Sequence, residues 1–390
     1  MSFALPPILM AEASLADLAS LGRSLDDAKA KGAEWVAFHA PGERLADDAA
    51  LLAAPAFDMF DVVFGAVAVG SPPALWRPSR LAFDEPARLA HALLHWFVGE
   101  PRFWRVEALD HFLQGANEGE GRIERLFRLW NEARCIKLAA PLAVLDAEPL
   151  PLTADERHEI IARLEERPVF LDVRHEGVAY RLPYTGRNAG IERDQTRGSF
   201  FEAGELEVLR ARLGSGRRVV DVGANTGNHT VFFAGPMAAS HVLPFEPSPE
   251  AAKALAQAVE ANGLSNVDLS MMGTGVGARE ERMRIVSSER GGLGAGHLAE
   301  GAGEGSIPVV RLDDVLTQAP DLLKIDVEGM ELDVLEGAKA TIASARPLIF
   351  IEIANANTAQ FMRWLDLAGY RIERIFSDKG HANYLIAPRG

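Results

Sequence analysis

The stretch Val219-Val-Asp-Val-Gly-Ala-Asn-Thr-Gly-Asn-His-Thr230 decides the fold expected for the second half of this 390-residue chain. It has the pattern of a buried strand that runs into a glycine-bearing turn and then into a helix. In a doubly wound sheet such a turn lies at the carboxyl end of the strand, where ligands bind. Gly223 and Gly227 have no Cβ, so the backbone can approach a ligand closely there. The stretch therefore predicts a ligand site on an α/β fold.

Helices and strands alternate from Phe200 onward. Buried strands separated by helices indicate a doubly wound, mostly parallel sheet with helices on both faces. The predicted strands are 218–222, 242–245, 267–272, 322–325 and 348–353, and a hairpin of 372–376 with 384–387 closes the sheet. The predicted helices are 203–213, 249–262, 330–344 and 358–368. A glycine-rich segment, 291–305, reads either as a mobile loop over a substrate or as a linker.

Two acidic residues favour one cofactor over another. The dinucleotide pattern Gly-x-Gly-x-x-Gly has a second glycine that admits a pyrophosphate, and here that position is Asn225. Asp221 would repel a pyrophosphate but suits the ammonium of a methionine moiety. Glu246 follows the second strand, where an acid can accept both hydroxyls of a ribose, although it could equally be a charge at a helix start. Together, Asp221 and Glu246 predict S-adenosylmethionine (SAM) rather than NAD.

Several motifs, in this order, resemble the FkbM-type SAM-dependent methyltransferases. The resemblance covers about Phe200 to Pro388, roughly half of the chain. It rests on Asp221-Val-Gly-Ala-Asn-Thr-Gly-Asn-His-Thr230, Phe245-Glu-Pro-Ser248 and Lys324-Ile-Asp-Val-Glu-Gly-Met-Glu331, supported by Asp333-Val-Leu-Glu-Gly-Ala338 and Asn383-Tyr-Leu-Ile-Ala-Pro388. It implies a class I methyltransferase fold and O-methylation, typically of a sugar or natural-product hydroxyl.

One departure from the family lies after the third predicted strand. The chain has Met272-Gly-Thr-Gly-Val-Gly277 where the family more often shows Ala-Leu-Gly, and we expect backbone contacts to adenine there. The predicted cofactor-binding residues are Asp221, Gly223, Asn225, Gly227, Glu246, Thr274 and Gly275.

The end of the fourth strand carries the predicted catalytic residues. The sulfonium of SAM is already activated, so an enzyme mainly has to align a hydroxyl with the methyl group and remove a proton. We predict that Asp326 is the base or orients the hydroxyl, and that Lys324 keeps its carboxylate ionised. The two could instead form a structural ion pair, and the third candidate, Glu328, could charge the start of the following helix. His229 and Glu352 are weaker candidates.

Composition excludes several classes of protein. The net charge of −15 is shared by both halves, which argues against a nucleic-acid partner. A single cysteine, Cys135, rules out a disulfide framework, and no His/Cys pattern supports zinc. Carboxylates suit magnesium or calcium, but we expect no metal. No apolar run could span a bilayer and no secretory signal is present, so we expect a cytoplasmic protein; the oligomeric state is not indicated.

We expect three parts in the chain: an N-terminal α/β domain over 1–148, a linker helix with a small β element over 149–199, and the methyltransferase domain over 200–390. The first part weakly resembles a degenerate GT-A-type glycosyltransferase. Where that family has a metal-binding Asp-x-Asp, this chain has His39-Ala-Pro-Gly-Glu43. A docking or scaffold role is therefore expected there rather than sugar transfer.

The leading hypothesis is a SAM-dependent O-methyltransferase that acts on a hydroxyl of a sugar, glycan or glycan-like natural product, as in polysaccharide biosynthesis. One alternative is a non-catalytic glycan-binding or assembly protein with a vestigial methyltransferase domain. Another is a bifunctional glycosyltransferase–methyltransferase, against which the missing Asp-x-Asp acids argue.

Overall fold

The computed structural model describes residues 5–70, 73–76, 81–82, 86–95, 98–117, 119–149, 152–286, 293, 297–300, 306–377 and 380–389. The chain forms two compact units, Met1–Val169 and Phe170–Gly390. Most of the predicted glycine-rich loop, 291–305, lies outside the described residues. None of the described helices is long and apolar enough to cross a membrane.

The first unit is built on a mixed sheet with the strand order β1-β2-β7-β4-β8-β3. Its strands are β1 (Ile8–Glu12), β2 (Trp35–His39), β3 (Glu43–Leu45), β4 (Val62–Val69), β5 (Ala74–Trp76), β6 (Leu81–Ala82), β7 (Pro101–Arg105) and β8 (Cys135–Leu145). Its helices are α1 (Leu18–Lys31), α2 (Ala49–Ala53), α3 (Pro86–His95), α4 (Val106–Gln114), α5 (Arg122–Glu132) and α6 (Ala154–Glu166).

The place that would carry Asp-x-Asp in a GT-A-type enzyme has a structural ion pair. β2 ends at His39, and the carboxylate of Glu43 is held by the buried guanidinium of Arg102 and accepts a hydrogen bond from the Ala40 backbone. An acid committed in this way has little freedom to hold a metal. The glycosyltransferase resemblance and the docking role of this unit stay predictions.

The second unit contains the alternating elements that the sequence predicts. Its strands are β9 (Val169–His175), β10 (Val178–Tyr184), β11 (Arg218–Val222), β12 (His241–Phe245), β13 (Gly275–Val276), β14 (Glu281–Val286), β15 (His297–Glu300), β16 (Ile307–Val310), β17 (Leu322–Ile325), β18 (Leu348–Ala354), β19 (Tyr370–Ser377) and β20 (His381–Pro388). Its helices are α7 (Ala189–Gln195), α8 (Ala203–Leu213), α9 (Asn228–Ala234), α10 (Pro249–Ala261), α11 (Leu312–Val315), α12 (Glu331–Gly337), α13 (Lys339–Ala345) and α14 (Thr358–Ala368).

The main sheet of this unit has the order β12-β11-β17-β18-β20-β19. β12, β11, β17 and β18 are parallel, whereas β20 runs antiparallel to both β18 and β19. A parallel sheet closed by an antiparallel hairpin confirms the predicted α/β, class I methyltransferase-like fold. The carboxyl ends of β11, β17 and β18 therefore meet at one edge of the sheet.

Alternation along the strands assigns side chains to the two faces of this sheet. Val220 and Val222 of β11 pack in the core cluster that includes α12 and α14, whereas Val219 packs on the opposite side with α8 and α9. Because strand side chains alternate, Asp221 lies on the same face as Val219. Lys324 is the register partner of Asp221 on β17, so both charged groups emerge on one face.

The predicted linker, 149–199, is divided between the two units. The capping box between Thr153 and Glu156 opens α6, which packs with α3 and α5 in the first unit. The hairpin β9–β10 instead contributes Val173 and Leu182 to a core of the second unit. The helix α6 and the hairpin β9–β10 therefore belong to different units, because each buries its apolar side chains against a different core.

Two predicted elements of the second unit are wrong in detail. The third strand, 267–272, is reduced to single bridges and a 3-10 turn, because the carboxylate of Asp268 caps that turn through the Ser270 backbone. The helix 330–344 is two helices, α12 and α13. Asp313 accepts hydrogen bonds from the backbone of Ala340 and Thr341 and so provides a separate start for α13.

Candidate active site

The glycine loop between β11 and α9 is packed tightly against the end of β17. Gly223 has φ +77°, and a Cβ there would lie 1.7 Å from the carbonyl oxygen of Asp326. Gly227 has φ +91°, and its Cβ would lie 3.1 Å from Leu255 of α10. Both positions thus require glycine for contacts within the protein, in addition to any ligand that the loop admits.

Glu246 holds the middle of the same loop from the neighbouring strand. Its carboxylate accepts hydrogen bonds from the backbone N–H of Asn225, at 2.7 Å, and of Ser248, at 2.8 Å. The side chain is buried, and burial raises its pKa to about 7. Each carboxylate oxygen can accept more than one hydrogen bond, so Glu246 keeps the acceptor capacity that a ribose needs.

The loop after the 3-10 turn contacts Glu246 through Met272 and Gly273. Met272 forms a bridge with Glu246, and the N–H of Gly273 donates to the Glu246 carbonyl at 2.8 Å. Thr274 follows, and Gly275 is buried in β13, where an added Cβ would meet Leu298 at 2.7 Å. The predicted adenine contacts at Thr274 and Gly275 stay predictions, and Met272 and Gly273 lie beside the acid.

A buried ion pair lies beneath the loop. Nζ of Lys324 lies 3.1 Å from Oδ1 of Asp221 and donates to the Gly223 carbonyl at 2.6 Å, and the hydroxyl of Thr230 donates to Oδ2 of Asp221 at 2.7 Å. Burial lowers the pKa of Lys324, but the charges of Asp221 and Asp326 outweigh that effect and raise it. The lysine is therefore charged, and Asp221 is engaged with it.

Asp326 is the more open of the two carboxylates next to Lys324. Its Oδ2 lies 3.6 Å from Nζ, and 38% of its side chain is exposed, compared with none of the Asp221 side chain. An accessible carboxylate held by a buried ammonium suits the predicted role of orienting or deprotonating a hydroxyl. The predicted contact of Asp221 with a ligand ammonium stays a prediction.

The turn after Asp326 carries two glutamates, Glu328 and Glu331. Glu328 has a left-handed backbone, φ +51°, which is uncommon for a residue other than glycine. Glu331 stabilises the turn, because its Oε1 accepts a hydrogen bond from the backbone N–H of Gly329 at 2.6 Å. Partial desolvation and the charges of Asp326 and Glu331 raise the pKa of Glu328. Glu328 thus remains available at the sheet edge.

A second set of site residues comes from distant parts of the chain and is largely missed by sequence reasoning. Oε1 of Glu202 accepts from the Asn383 side chain at 2.7 Å, and its Oε2 lies 3.1 Å from Nε2 of His229. On the adjoining strands, Oε2 of Glu352 lies 3.2 Å from Nε2 of His381. His229 and Glu352, the weaker candidates, therefore both have polar partners here.

The segment before α8 covers the glycine loop. Asn188 donates to the Asn225 side chain at 3.0 Å, and Gln195 donates to the Asn228 side chain at 3.2 Å. Buried Glu192 organises this segment by accepting hydrogen bonds from Thr185 and Asn188. The polar composition of 186–198 is the one sequence signal of these contacts.

Among the residues that the structure describes, no group of three or more His, Cys, Asp or Glu side chains is arranged to hold a metal ion. Glu246, the loop at Asn225 and the accessible carboxylate of Asp326 are the groups that could serve a cofactor and an acceptor. They lie at the ends of adjacent parallel strands, which is the ligand-binding edge of such sheets.

The sheet order, the glycine loop after β11 and the acid after β12 are those of a class I methyltransferase-like fold. Residues 221–372 match the family model described as the Methyltransferase FkbM domain. This match confirms, for this segment, the resemblance found in the sequence.

Individual relatives are distant. A protein described as Methyltransferase 1 from Beauveria bassiana (strain ARSEF 2860) is 28% identical over 142 residues, which are 30% of this chain and 57% of that protein. The chain thus spans little more than half the length of this curated relative. Among solved structures, the methyltransferase FkbM from Methylobacillus flagellatus KT is 20% identical, with a TM-score of 0.33 over 43% of each chain. A ribosomal protein L11 methylase from Lactobacillus delbrueckii subsp. bulgaricus is 14% identical, with a TM-score of 0.33 over 49% of this chain and 80% of that one.

Proposed function

We propose that this protein is a SAM-dependent O-methyltransferase that acts on a hydroxyl of a sugar, glycan or glycan-like natural product. The observation that carries the proposal is the buried carboxylate of Glu246, which binds the backbone of the glycine loop and keeps free acceptor capacity. It lies beside a loop fixed by the Asp221–Lys324 pair, within the segment that matches the Methyltransferase FkbM domain.

The residues present fit SAM at this edge. Glu246 would accept the ribose hydroxyls, and Met272 and Gly273 lie next to it on the side where the adenine would bind. The glycine loop would contact the methionine moiety through its backbone. When bound, SAM supplies a methyl group that is already activated as a sulfonium.

The acceptor side of the reaction is assigned to the end of β17. Asp326 would accept a hydrogen bond from the acceptor hydroxyl and take its proton as the oxygen receives the methyl group. Nζ of Lys324 lies 3.6 Å from Oδ2 of this carboxylate and donates a hydrogen bond to the Gly223 carbonyl nearby. Positioning of this kind provides much of the rate enhancement when the donor is already reactive.

Calorimetric titration with S-adenosylhomocysteine tests the cofactor assignment. We expect micromolar binding to the wild-type protein and a loss of about tenfold or more in Glu246→Gln, because a charge-assisted hydrogen bond contributes about 1.5–3 kcal/mol. Glu250→Gln is the matched control, since Glu250 is exposed in the first turn of α10. Absence of binding to the wild-type protein would refute SAM as the cofactor.

Transfer of radiolabel from SAM to a polysaccharide extract then tests the reaction. Asp326→Asn should reduce transfer far more than it reduces S-adenosylhomocysteine binding, because its proposed role is on the acceptor side. Tight cofactor binding without transfer to any glycan would instead favour the non-catalytic glycan-binding alternative.

A further inference from the structure

The segment before α8 is linked to Glu246 by a chain of two hydrogen bonds. Nδ2 of Asn188 donates to Oδ1 of Asn225 at 3.0 Å, and the backbone N–H of Asn225 donates to Oε2 of Glu246 at 2.7 Å. Asn188 and Glu246 are both buried, so water competes little for these bonds. We call residues 185–195 the cover segment. A change at Asn188 therefore reaches Glu246 through a single residue of the glycine loop.

Asn225 is the residue of the glycine loop that depends on this chain. Its backbone is left-handed, with φ +51°, although it carries a side chain. A residue other than glycine keeps that conformation only where its surroundings hold it. Oδ1 of Asn225 accepts from the backbone N–H of Thr226, at 2.8 Å, and from Asn188. Asn188 thus restrains the Asn225 side chain from outside the loop.

Glu192 fixes the position of Asn188. Its Oε2 accepts from the Asn188 backbone N–H at 3.2 Å, and its own backbone N–H donates to the Asn188 carbonyl at 2.9 Å. Its Oε1 accepts from the backbone N–H and the hydroxyl of Thr185 and from the backbone N–H of Gly186. A buried carboxylate that receives these donors holds the start of the cover segment in one conformation.

The Asn188 side chain does not serve the helix that follows it. Asn188 is the N-cap residue of α7, the position where an asparagine side chain usually accepts a hydrogen bond from the first turn. Here the side chain makes no such bond, and its amide donates to Asn225 instead. An asparagine that contacts the glycine loop in place of its own helix points to a role at the loop.

We propose that Asn188 is a positioning residue for the ribose of SAM, because it holds Asn225 and, through it, the carboxylate that would accept the ribose hydroxyls. The two oxygens of Glu246 each accept one backbone N–H, from Asn225 and from Ser248. Together these bonds fix the plane of the carboxylate, and loss of the first would leave it free to turn about the second. This inference rests on the proposed function, since it concerns the cofactor of the same site.

Calorimetric titration of the full chain with two ligands tests this role. S-adenosylhomocysteine has both ribose hydroxyls, and its 2′,3′-dideoxy analogue has neither. We expect Asn188→Ala to bind S-adenosylhomocysteine about fivefold or more weakly than the wild-type protein, as for one lost hydrogen bond. The loss for the dideoxy analogue should be less than about twofold, because it offers Glu246 no hydroxyl. Equal losses for the two ligands, or no loss for S-adenosylhomocysteine, would overturn the proposal.

Further variants separate positioning from a general loss of structure. Asn188→Leu has a side chain of similar size without a donor and should repeat the result of Asn188→Ala. Arg193→Gln is the matched control on α7, since 59% of the Arg193 side chain is exposed, and it should bind both ligands as the wild-type protein does. Scanning calorimetry should show that Tm falls by no more than about 4 °C in the Asn188 variants. A larger fall in both variants would make Asn188 a structural residue and overturn the proposal.

The variant Asn225→Gly tests whether the effect passes through the glycine loop. Glycine adopts the left-handed conformation without a side-chain restraint, so this variant should not need Asn188. We expect Asn188→Ala to cost no further affinity for S-adenosylhomocysteine when Asn225→Gly is already present. If the two losses add in the double variant, the effect does not pass through Asn225 and the proposal fails.

Two further outcomes separate this proposal from others. 5′-Methylthioadenosine has the adenine and the ribose but no amino-acid group, so Asn188→Ala should weaken its binding as much as that of S-adenosylhomocysteine. If the binding of 5′-methylthioadenosine is unaffected, the cover segment acts on the amino-acid end of the cofactor and the proposal is overturned. Failure of S-adenosylhomocysteine to bind the wild-type protein would refute the proposed function itself, whereas binding that is unchanged in Asn188→Ala would refute this inference alone.

Discussion

Replacement of Lys324 by methionine should destabilise the second unit more than any other single charge change at the site. Nζ of Lys324 lies 3.1 Å from Oδ1 of Asp221, and the two side chains are 2% and 0% exposed. Methionine occupies a similar volume without a charge. The variant would therefore leave the Asp221 carboxylate in the interior without its cation, with the Thr230 hydroxyl as its remaining side-chain donor.

The size of the effect follows from this burial. Removal of one partner from a buried ion pair costs about 3–5 kcal/mol, because the other charge stays desolvated. For a unit of this size, each kcal/mol lowers Tm by about 2–4 °C, so we expect a fall of about 6–20 °C. Differential scanning calorimetry of the full chain measures it.

Two comparisons make the reasoning refutable. Lys339→Met removes an exposed ammonium, 72% of whose side chain is in solvent, and should change Tm by no more than about 2 °C. The double variant Asp221→Asn with Lys324→Met has no charge at either position of the buried pair and should recover at least half of the loss. The reasoning is refuted if Lys324→Met lowers Tm no more than Lys339→Met does. It is also refuted if the losses of Tm in the single variants Asp221→Asn and Lys324→Met simply add in the double variant, because the buried pair would then not hold the loop.

Three other outcomes follow from features described above. Because the pKa of Glu246 is raised to about 7 in the fold from about 4.3 in an unfolded chain, its protonated form favours folding at low pH. That contribution is lost as the pH rises through about 7. Binding of S-adenosylhomocysteine, which needs the ionised carboxylate, should strengthen over the same window in the wild-type protein but not in Glu246→Gln, and calorimetry on either side of neutrality detects this. Gly223→Ala should cost at least about 2 kcal/mol in urea denaturation, because its Cβ would overlap the Asp326 carbonyl. Gly216→Ala, with φ +75° and nothing within 4 Å, should cost less, and equal losses would contradict the clash. Thr153→Ala should destabilise the first unit by about 0.5–2 kcal/mol and Thr153→Ser should not, as followed by circular dichroism on heating.

The strands and the glycine loop could be predicted because their signals are local. Short stretches rich in Val, Leu and Ile mark β11 and β17, and the glycines of the loop follow β11 directly. The pairing of Asp221 with Lys324 is different, since it depends on the register between strands that lie 103 residues apart. The sequence placed Lys324 with Asp326, its neighbour on one strand, and the structure adds Asp221 as the nearer partner.

The remaining differences between the predicted and the observed elements arise from tertiary contacts, which produce no periodic pattern of apolar residues in the sequence. The break between α12 and α13 depends on Asp313, 27 residues before the backbone that it caps. The contact between Glu202 and Asn383 spans 181 residues. The left-handed backbone of Glu202 could not be predicted either, because the residue there is not a glycine. Local propensity cannot encode contacts of this separation, because only the assembled sheet edge brings the two residues together.

The position of β20 inside the sheet sets an order of events during protein synthesis. β19 is made before β20, yet β20 lies between β18 and β19, so β19 has no neighbour to join until residues 381–388 have left the ribosome. Until then β18 presents an open edge, the kind of surface on which partly made chains associate with one another. A nascent chain stalled before residue 381 would therefore expose apolar β18 and be prone to aggregate. It would also lack His381 and Asn383, the partners of Glu352 and Glu202.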